Sequence, residues 1–260
     1  MKAAKEISKV ISAFLLFAFV VSSGSMAWSP KGSLNFRSLA LAAEESNEEE
    51  PEPFSTERQV VSDPLESMNR TFFKFNDKLY FWFLKPVAQV YGKVLPQGFR
   101  VDLRNAYHNI LMPVRLVNTT LQGKFKGAGI ELLRFGINST IGVVGMIDVA
   151  AKDFNLDSQD EDFGQTMGFY GMKPIVYVVW PFLGPSSLRD TIGLGADTFL
   201  SPITYISPDI FTSAGIKAGT MVNSTSLRIG EYEDFKKSAL DPYVSMRDIY
   251  LQNRASEIQH

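Results

Sequence analysis

From Asp63 onward, apolar and polar positions alternate at helical spacing. Leu65, Met68, Phe72, Phe75, Leu79 and Phe83 recur every three or four residues, the stripe of an amphipathic helix. Asp63-Pro64-Leu65-Glu66 supplies its start, with Asp as N-cap, Pro at the first helical position and Glu66 closing a capping box. Pro86 predicts its end near Lys85. The last turns, residues 79–84, are apolar on every side, a pattern of either full burial or exposure to lipid. Residues 86–95 predict a short helix closed by Pro96. Residues 101–121 predict a longer one bent at Pro113, with Ile110, Val114, Val117 and Leu121 on one face. Residues 127–140 predict another, carrying Ile130, Leu133 and Ile137.

The middle of the chain breaks this rhythm. Residues 142–150 (GVVGMIDVA) form an apolar loop with two glycines, which either touches a membrane, gates a cavity or is a buried turn. The acidic stretch 153–162 lacks the calcium-loop spacing. The segments 162–171 (DFGQTMGFYG) and 180–190 (WPFLGPSSLRD) are dense in glycine, proline and aromatics, which predicts fixed turns rather than regular structure. Residues 175–179 have strand propensity but no run of similar length to pair with, so an extended segment outside any sheet is expected. Residues 187–196 predict a short helix and 211–239 a long one. Asp241-Pro242 opens a terminal helix to about Glu257, with Tyr243, Met246, Ile249 and Tyr250 on one side. The sum is a mostly helical chain with an irregular middle.

Composition adds an address. The chain has 260 residues, 45% hydrophobic and 20 of them Phe, enough for a sizeable core, and no cysteine, which excludes disulfides and thiolate chemistry. Lys2, Lys5 and Lys9 precede an apolar run at 10–21, too short to span a bilayer comfortably. Small-x-small sites end at Ala27 and Ala42. Residues 1–42 therefore read as a signal peptide cleaved after Ala27 or Ala42, with an uncleaved anchor helix as the alternative. Their removal takes away five cations and one acid, moving the formal charge from −2 to −6. Six acids at 44–52 then lie in a tether at 43–60 that reads as disordered, ahead of a nearly neutral body at 61–257. No basic field exists for nucleic acid.

Catalytic chemistry finds little support. His108 and His260 are the only histidines, and no Gly-x-Ser-x-Gly elbow, Walker loop or dinucleotide fingerprint is present, so no cofactor, metal site or enzymatic role is expected. Arg104 and the pair Arg189-Asp190 stand in apolar or Gly-rich surroundings. They read as buried ion pairs or caps, or as groups facing a polar channel.

Several motifs together resemble the MlaA (VacJ) family of outer-membrane phospholipid-transport proteins. These are 62–70 (SDPLESMNR), Phe75-Asn76, 138–142 (NSTIG) running into 147–150 (IDVA), 163–171 (FGQTMGFYG) and 184–190 (GPSSLRD), in order across about residues 60 to 252. The resemblance implies an all-α, disc- or ring-shaped protein in the inner leaflet of the outer membrane, with a central amphipathic channel. It implies trimeric porin and a periplasmic lipid-carrier protein as partners, and phospholipid as cargo. On that reading Asn138, Ser139 and Thr140 line the channel, Gly142, Gly145 and Ile147 belong to a gating hairpin, and Phe75 and Asn76 mark a helix-turn at its mouth. Phe81, Trp82, Phe83 and Leu84 form part of the membrane-facing rim. The family is typically anchored through a lipidated cysteine; this chain has none, so membrane residence without that lipid is expected. The competing readings are a soluble periplasmic lipid carrier, a porin-docking scaffold and a lipase-like enzyme.

Overall fold

The computed structural model describes residues 63–206 and 209–259. The expected signal segment, the acidic tether, residues 61–62 and His260 lie outside the described residues. In chain order the elements are α1 (Glu66–Leu79), a π-helical turn (Tyr80–Leu84), α2 (Lys85–Val94), α3 (Gln97–Ile110), α4 (Met112–Leu121), α5 (Phe125–Thr140), α6 (Val149–Phe154) and α7 (Phe163–Phe169). There follow β1 (Tyr177–Trp180), β2 (Gly184–Ser187), α8 (Leu188–Leu200), α9 (Pro202–Ile206), α10 (Ile210–Leu227), α11 (Glu231–Ser238) and α12 (Pro242–Gln259). The helical character expected from the sequence is present, with one small hairpin added.

The first helix does not stop at Pro86. The chain widens into a π-helical turn, closed by the Lys85 N–H donating to Tyr80 O, five residues back. Pro86 then lands in the first turn of α2, where its missing N–H costs little. Asp63 is not the cap of α1, which starts after Leu65 without a side-chain cap. Its carboxylate instead accepts from the Asn69 amide at 2.8 Å and from the Tyr243 hydroxyl. The expected stripe is split: Leu65, Met68 and Phe75 are exposed, Phe72 and Leu79 pack on buried clusters, and polar Asn69 is buried. The 101–121 helix is two helices, broken at Leu111, with Pro113 in the first turn of α4 rather than at a bend. The 211–239 helix is divided at Gly230, whose φ of +105° no helix residue adopts.

Residues 175–179 are not isolated. β1 pairs antiparallel with β2, Tyr177 opposite Ser187 and Trp180 opposite Gly184. The partner reads Gly-Pro-Ser-Ser, a composition with no strand signal. Two asparagines of α1, seven residues apart and so on one face, tie this segment to the helix. Asn69 donates to Tyr177 O (3.0 Å) and accepts from Val179 N (2.8 Å). Asn76 donates to Trp180 O (2.9 Å) and accepts from Phe182 N (2.7 Å). Each side-chain amide pairs with backbone as a neighbouring strand would.

The Gly-dense segment at 163–169 is also regular. Asp162 caps α7 by accepting from Gln165 N at 2.8 Å, and Gln165 Oε1 accepts from Asp162 N in return, a complete capping box. The glycines serve close approach. A Cβ on Gly193 of α8 would collide with the Gly164 backbone nitrogen and lie 2.8 Å from its Cα. At this crossing Arg254 of α12 donates to Asp162 (2.8 and 2.9 Å), Asp190 (2.8 Å) and Glu257 (2.8 Å). Asp190 also accepts from Arg189 Nε (3.0 Å), Ser187 Oγ (2.7 Å) and the Tyr250 hydroxyl. Arg189-Asp190 is thus a buried ion pair, whereas Arg104 is exposed. Burial raises the Asp190 pKa, but Arg254 outweighs it and brings it to about 2.

Gly193→Ala is therefore expected to lower stability by about 1–3 kcal/mol through overpacking against backbone. Gly136→Ala, in α5 with open space around it, should raise stability by about 0.5–1 kcal/mol through helix propensity. Thermal unfolding of the two variants in detergent checks both signs.

Candidate functional site

The apolar loop between α5 and α6 is an ordered turn with an unusual backbone. Val143 (φ +53°), Val144 (φ +58°) and Gly145 (φ +86°) are three consecutive left-handed residues, two of them β-branched. Such a residue carries about 1–2 kcal/mol of strain in this region. Val144 is 72% exposed and Val143 and Ile141 are exposed with it, so no burial of these side chains offsets that strain.

Polar groups beneath hold the turn. Gly145 N donates to Asn138 O (2.8 Å) and Ile147 N to Gly142 O (2.9 Å). From α3, Asn105 donates to Met146 O (3.1 Å) and Asn109 to Ser139 Oγ (2.9 Å). A Cβ on Gly145 would sit 2.5 Å from Asn109 Cβ, and one on Gly142 2.6 Å from Asn138 O. Both glycines permit close approach. Asp148 fastens the far side: it accepts from Arg134 (2.9 Å) and Asn138 (2.9 Å) and caps α6 through Ala151 N (3.2 Å). Burial raises the Asp148 pKa, but the Asn138 amide and Arg134 outweigh it and hold the carboxyl below its ordinary value.

The residues proposed from sequence fall into distinct places. Asn138 is buried and committed on both ends of its amide, to Asp148 and to Ala150 N (2.9 Å). Ser139 meets Asn109, and exposed Thr140 donates back to Gly136 O (2.7 Å). Gly142, Gly145 and half-exposed Ile147 are brought together in the turn. Phe75 and Asn76 are elsewhere, inside α1 rather than at a helix-turn, with the Phe75 ring edge-on to Phe182 at 5.2 Å. In the expected rim, Trp82 is 79% exposed, but Leu84 is buried, because the π-helical turn rotates it inward. Phe81 stands beside Tyr80 and Tyr232 and Phe83 is half-buried. The sequence reading missed Asn105, Asn109, Arg134 and Asp148 as the loop's supports. Asp148 ahead of Val-Ala-Ala was a legible helix cap.

The wider surface is inverted. Among the described residues 20 buried side chains are polar or charged and 18 apolar, while 34 large apolar side chains are exposed. Helix α5 shows this most plainly. Its buried side holds Glu131, Arg134 and Asn138; its exposed side holds Phe125, Leu132, Leu133 and Phe135. Of the three apolar positions the sequence marked on this helix, Leu133 is turned out, whereas Ile130 and Ile137 are half-buried. Glu131 is fully buried and paired with Arg115 at 2.8 Å. A shallow apolar trough of about 340 Å³ lies along α4 and α7, lined by Leu121, Phe163, Thr166, Met167, Tyr170 and Met172.

His108 lies 2.8 Å from Asp160 and 3.3 Å from Ser158, both through Nε2. A nucleophile relay needs the two ring nitrogens to face nucleophile and orienter separately. This cluster instead pins the acidic loop to α3.

The family described as MlaA lipoprotein matches residues 61–257. The chain belongs to this family. The Escherichia coli (strain K12) intermembrane phospholipid transport system lipoprotein MlaA is 33% identical over 204 residues, 76% of this chain and 78% of that protein. An uncharacterised protein of Rickettsia bellii (strain RML369-C) is 32% identical over 201 residues, 77% and 78% of the two chains. A solved structure concerned with the structural basis for maintenance of bacterial outer membrane lipid asymmetry superposes with a TM-score of 0.68 at 32% identity. It covers 76% of this chain and 99% of that one.

The bracing of the loop should depend on pH. With its folded pKa lowered, Asp148 contributes fully above the unfolded carboxyl value of about 4 and is lost as pH falls through the folded value. Protection factors for amide exchange across residues 142–147 should fall as pH drops below about 4 in the wild type, and should already be low at neutral pH in Asp148→Asn. Val144→Asn, a residue that tolerates the left-handed region, should stabilise the protein by about 1 kcal/mol in chemical denaturation.

Proposed function

We propose that this protein is an outer-membrane component of a phospholipid transport system. It lies in the inner leaflet, takes mislocalised phospholipid from the outer leaflet and passes it to a periplasmic carrier, so maintaining lipid asymmetry. The observation that carries this reading is the inverted surface: apolar side chains outside a polar interior suit a protein whose solvent is lipid. Among the described residues no helix is long and apolar enough to cross a membrane, so residence within one leaflet fits the element lengths. The family relatives named for intermembrane phospholipid transport supply the direction of the argument.

Trimeric porin is the expected companion in the membrane. The turn at residues 142–147 is the proposed gate. Its strained, exposed tip stands on a hydrogen-bonded base, so lipid contacts at the valines would bear directly on the strained backbone. The exposed face of α5 and the outward Trp82 contribute to the rim.

Cells lacking the protein should show more outer-leaflet phospholipid, read by accessibility to added phospholipase. The wild-type gene should reverse the rise. A Gly145→Pro version, whose ring cannot adopt φ +86°, should not, despite equal abundance in the membrane fraction. Rescue by that variant would defeat the gate. Absence of any rise, together with release of the protein by carbonate wash, would favour a soluble carrier or scaffold.

A further inference from the structure

The junction of α7, α8 and α12 holds an uneven set of charges. Four carboxylates, Asp162, Asp190, Asp197 and Glu257, face two guanidinium groups, Arg189 and Arg254. The next pair outward, Lys124 with Glu161 at 2.7 Å, neutralises itself, and the Tyr250 hydroxyl donates to Asp190 without adding charge. Fully ionised, the cluster would carry two surplus negative charges. The Gly164–Gly193 contact lets the backbones touch here, so the carboxylates have little room to separate.

The four acids are not equally served. Asp162 and Asp190 each accept from guanidinium nitrogens, and Glu257 accepts from Arg254 and from Gln165 (3.2 Å). Asp197, buried on α8, has only neutral donors. Asn118 of α4 donates to its Oδ1 at 2.9 Å, and the Phe163 N–H is shared between Oδ1 (3.2 Å) and Oδ2 (3.1 Å). Oδ2 therefore receives half of one shared hydrogen, and it is the oxygen open to a proton. A buried carboxylate beside another, without a cation of its own, is neutralised by binding one. Burial, and then the Asp162 carboxylate, push Asp197 up to about 7; burial also raises Glu257 against the pull of Arg254.

We propose that this junction is a proton-binding site. It keeps one surplus proton, chiefly on Asp197, up to neutral pH, and the packing of α7 on α8 weakens as that proton leaves. The folded pKa lies above the unfolded one. The stabilisation is therefore complete below the unfolded carboxyl value of about 4 and declines as pH rises to about 7. One linked proton makes the unfolding constant rise by up to tenfold per pH unit across that window.

The test is infrared spectroscopy of the folded protein in detergent from about pH 5 to about pH 9, with unfolding curves at the same pH values. The wild type should show a protonated-carboxyl band that fades near pH 7. Carbon-13 labelling of aspartate should shift that band. It should be missing in Asp197→Asn and kept in Glu257→Gln, and the pH slope of unfolding should flatten in Asp197→Asn. No such band at about pH 6, or a band that ignores labelled aspartate or persists in Asp197→Asn, would overturn the proposal. Should Asp197→Asn not fold, the labelled wild type decides alone.

Discussion

One guanidinium organises the chain's distant parts. Arg254 reaches back 92 residues to Asp162 and 64 to Asp190, joining the terminal helix α12 to the start of α7 and to α8. Removing one partner of such a buried pair leaves an uncompensated charge, a loss of about 3–5 kcal/mol. Two of the three glycines in the motif at 162–171 leave room beside these charged groups. At Gly164 a Cβ would lie 2.8 Å from Arg254 Nη2, and at Gly168 2.9 Å from Arg189 Nη1. The motif encodes an absence of side chain where charged groups converge.

Polar contacts do elsewhere what apolar packing does in most folds. Asn69 and Asn76 dock the hairpin on α1, Arg115 with Glu131 joins α4 to α5, and Asp148 with Arg134 and Asn138 sets the loop. Such contacts are directional, and the weak apolar interior leaves them to specify the arrangement. The proposed setting gives the reason: a chain whose exterior meets lipid gains nothing by keeping its apolar side chains inside.

This inversion also decides how far the sequence could be read. Helix existence was legible at α5 and α12, where spacing and the Asp241-Pro242 start are local signals. The inward face was legible only in part: Phe72 and Leu79 pack on buried clusters, while Leu133 and Phe75 obey the same period and face outward. β2 gave no signal, since Gly-Pro-Ser-Ser becomes a strand only by pairing with β1. The capping box of Asp162 and Gln165 was present in the letters but hidden among glycines. The MlaA-like motifs located the loop at 142–147 without its supports, since Asn105 and Asn109 lie some forty residues away and meet it only in the fold.

The π-helical turn has a consequence for angular phase. One residue of an α-helix advances its face by about 100°. The wider ring at Tyr80–Leu84 inserts that advance once, between a helix that grips the hairpin and one whose Val87, Val90 and Val94 face outward. The azimuth of α2 is thus set by a single backbone ring rather than by its own composition. Shortening this segment by one residue would leave every side chain of α2 intact while turning buried Ala88 away from the interior, as a key is mis-set by one notch.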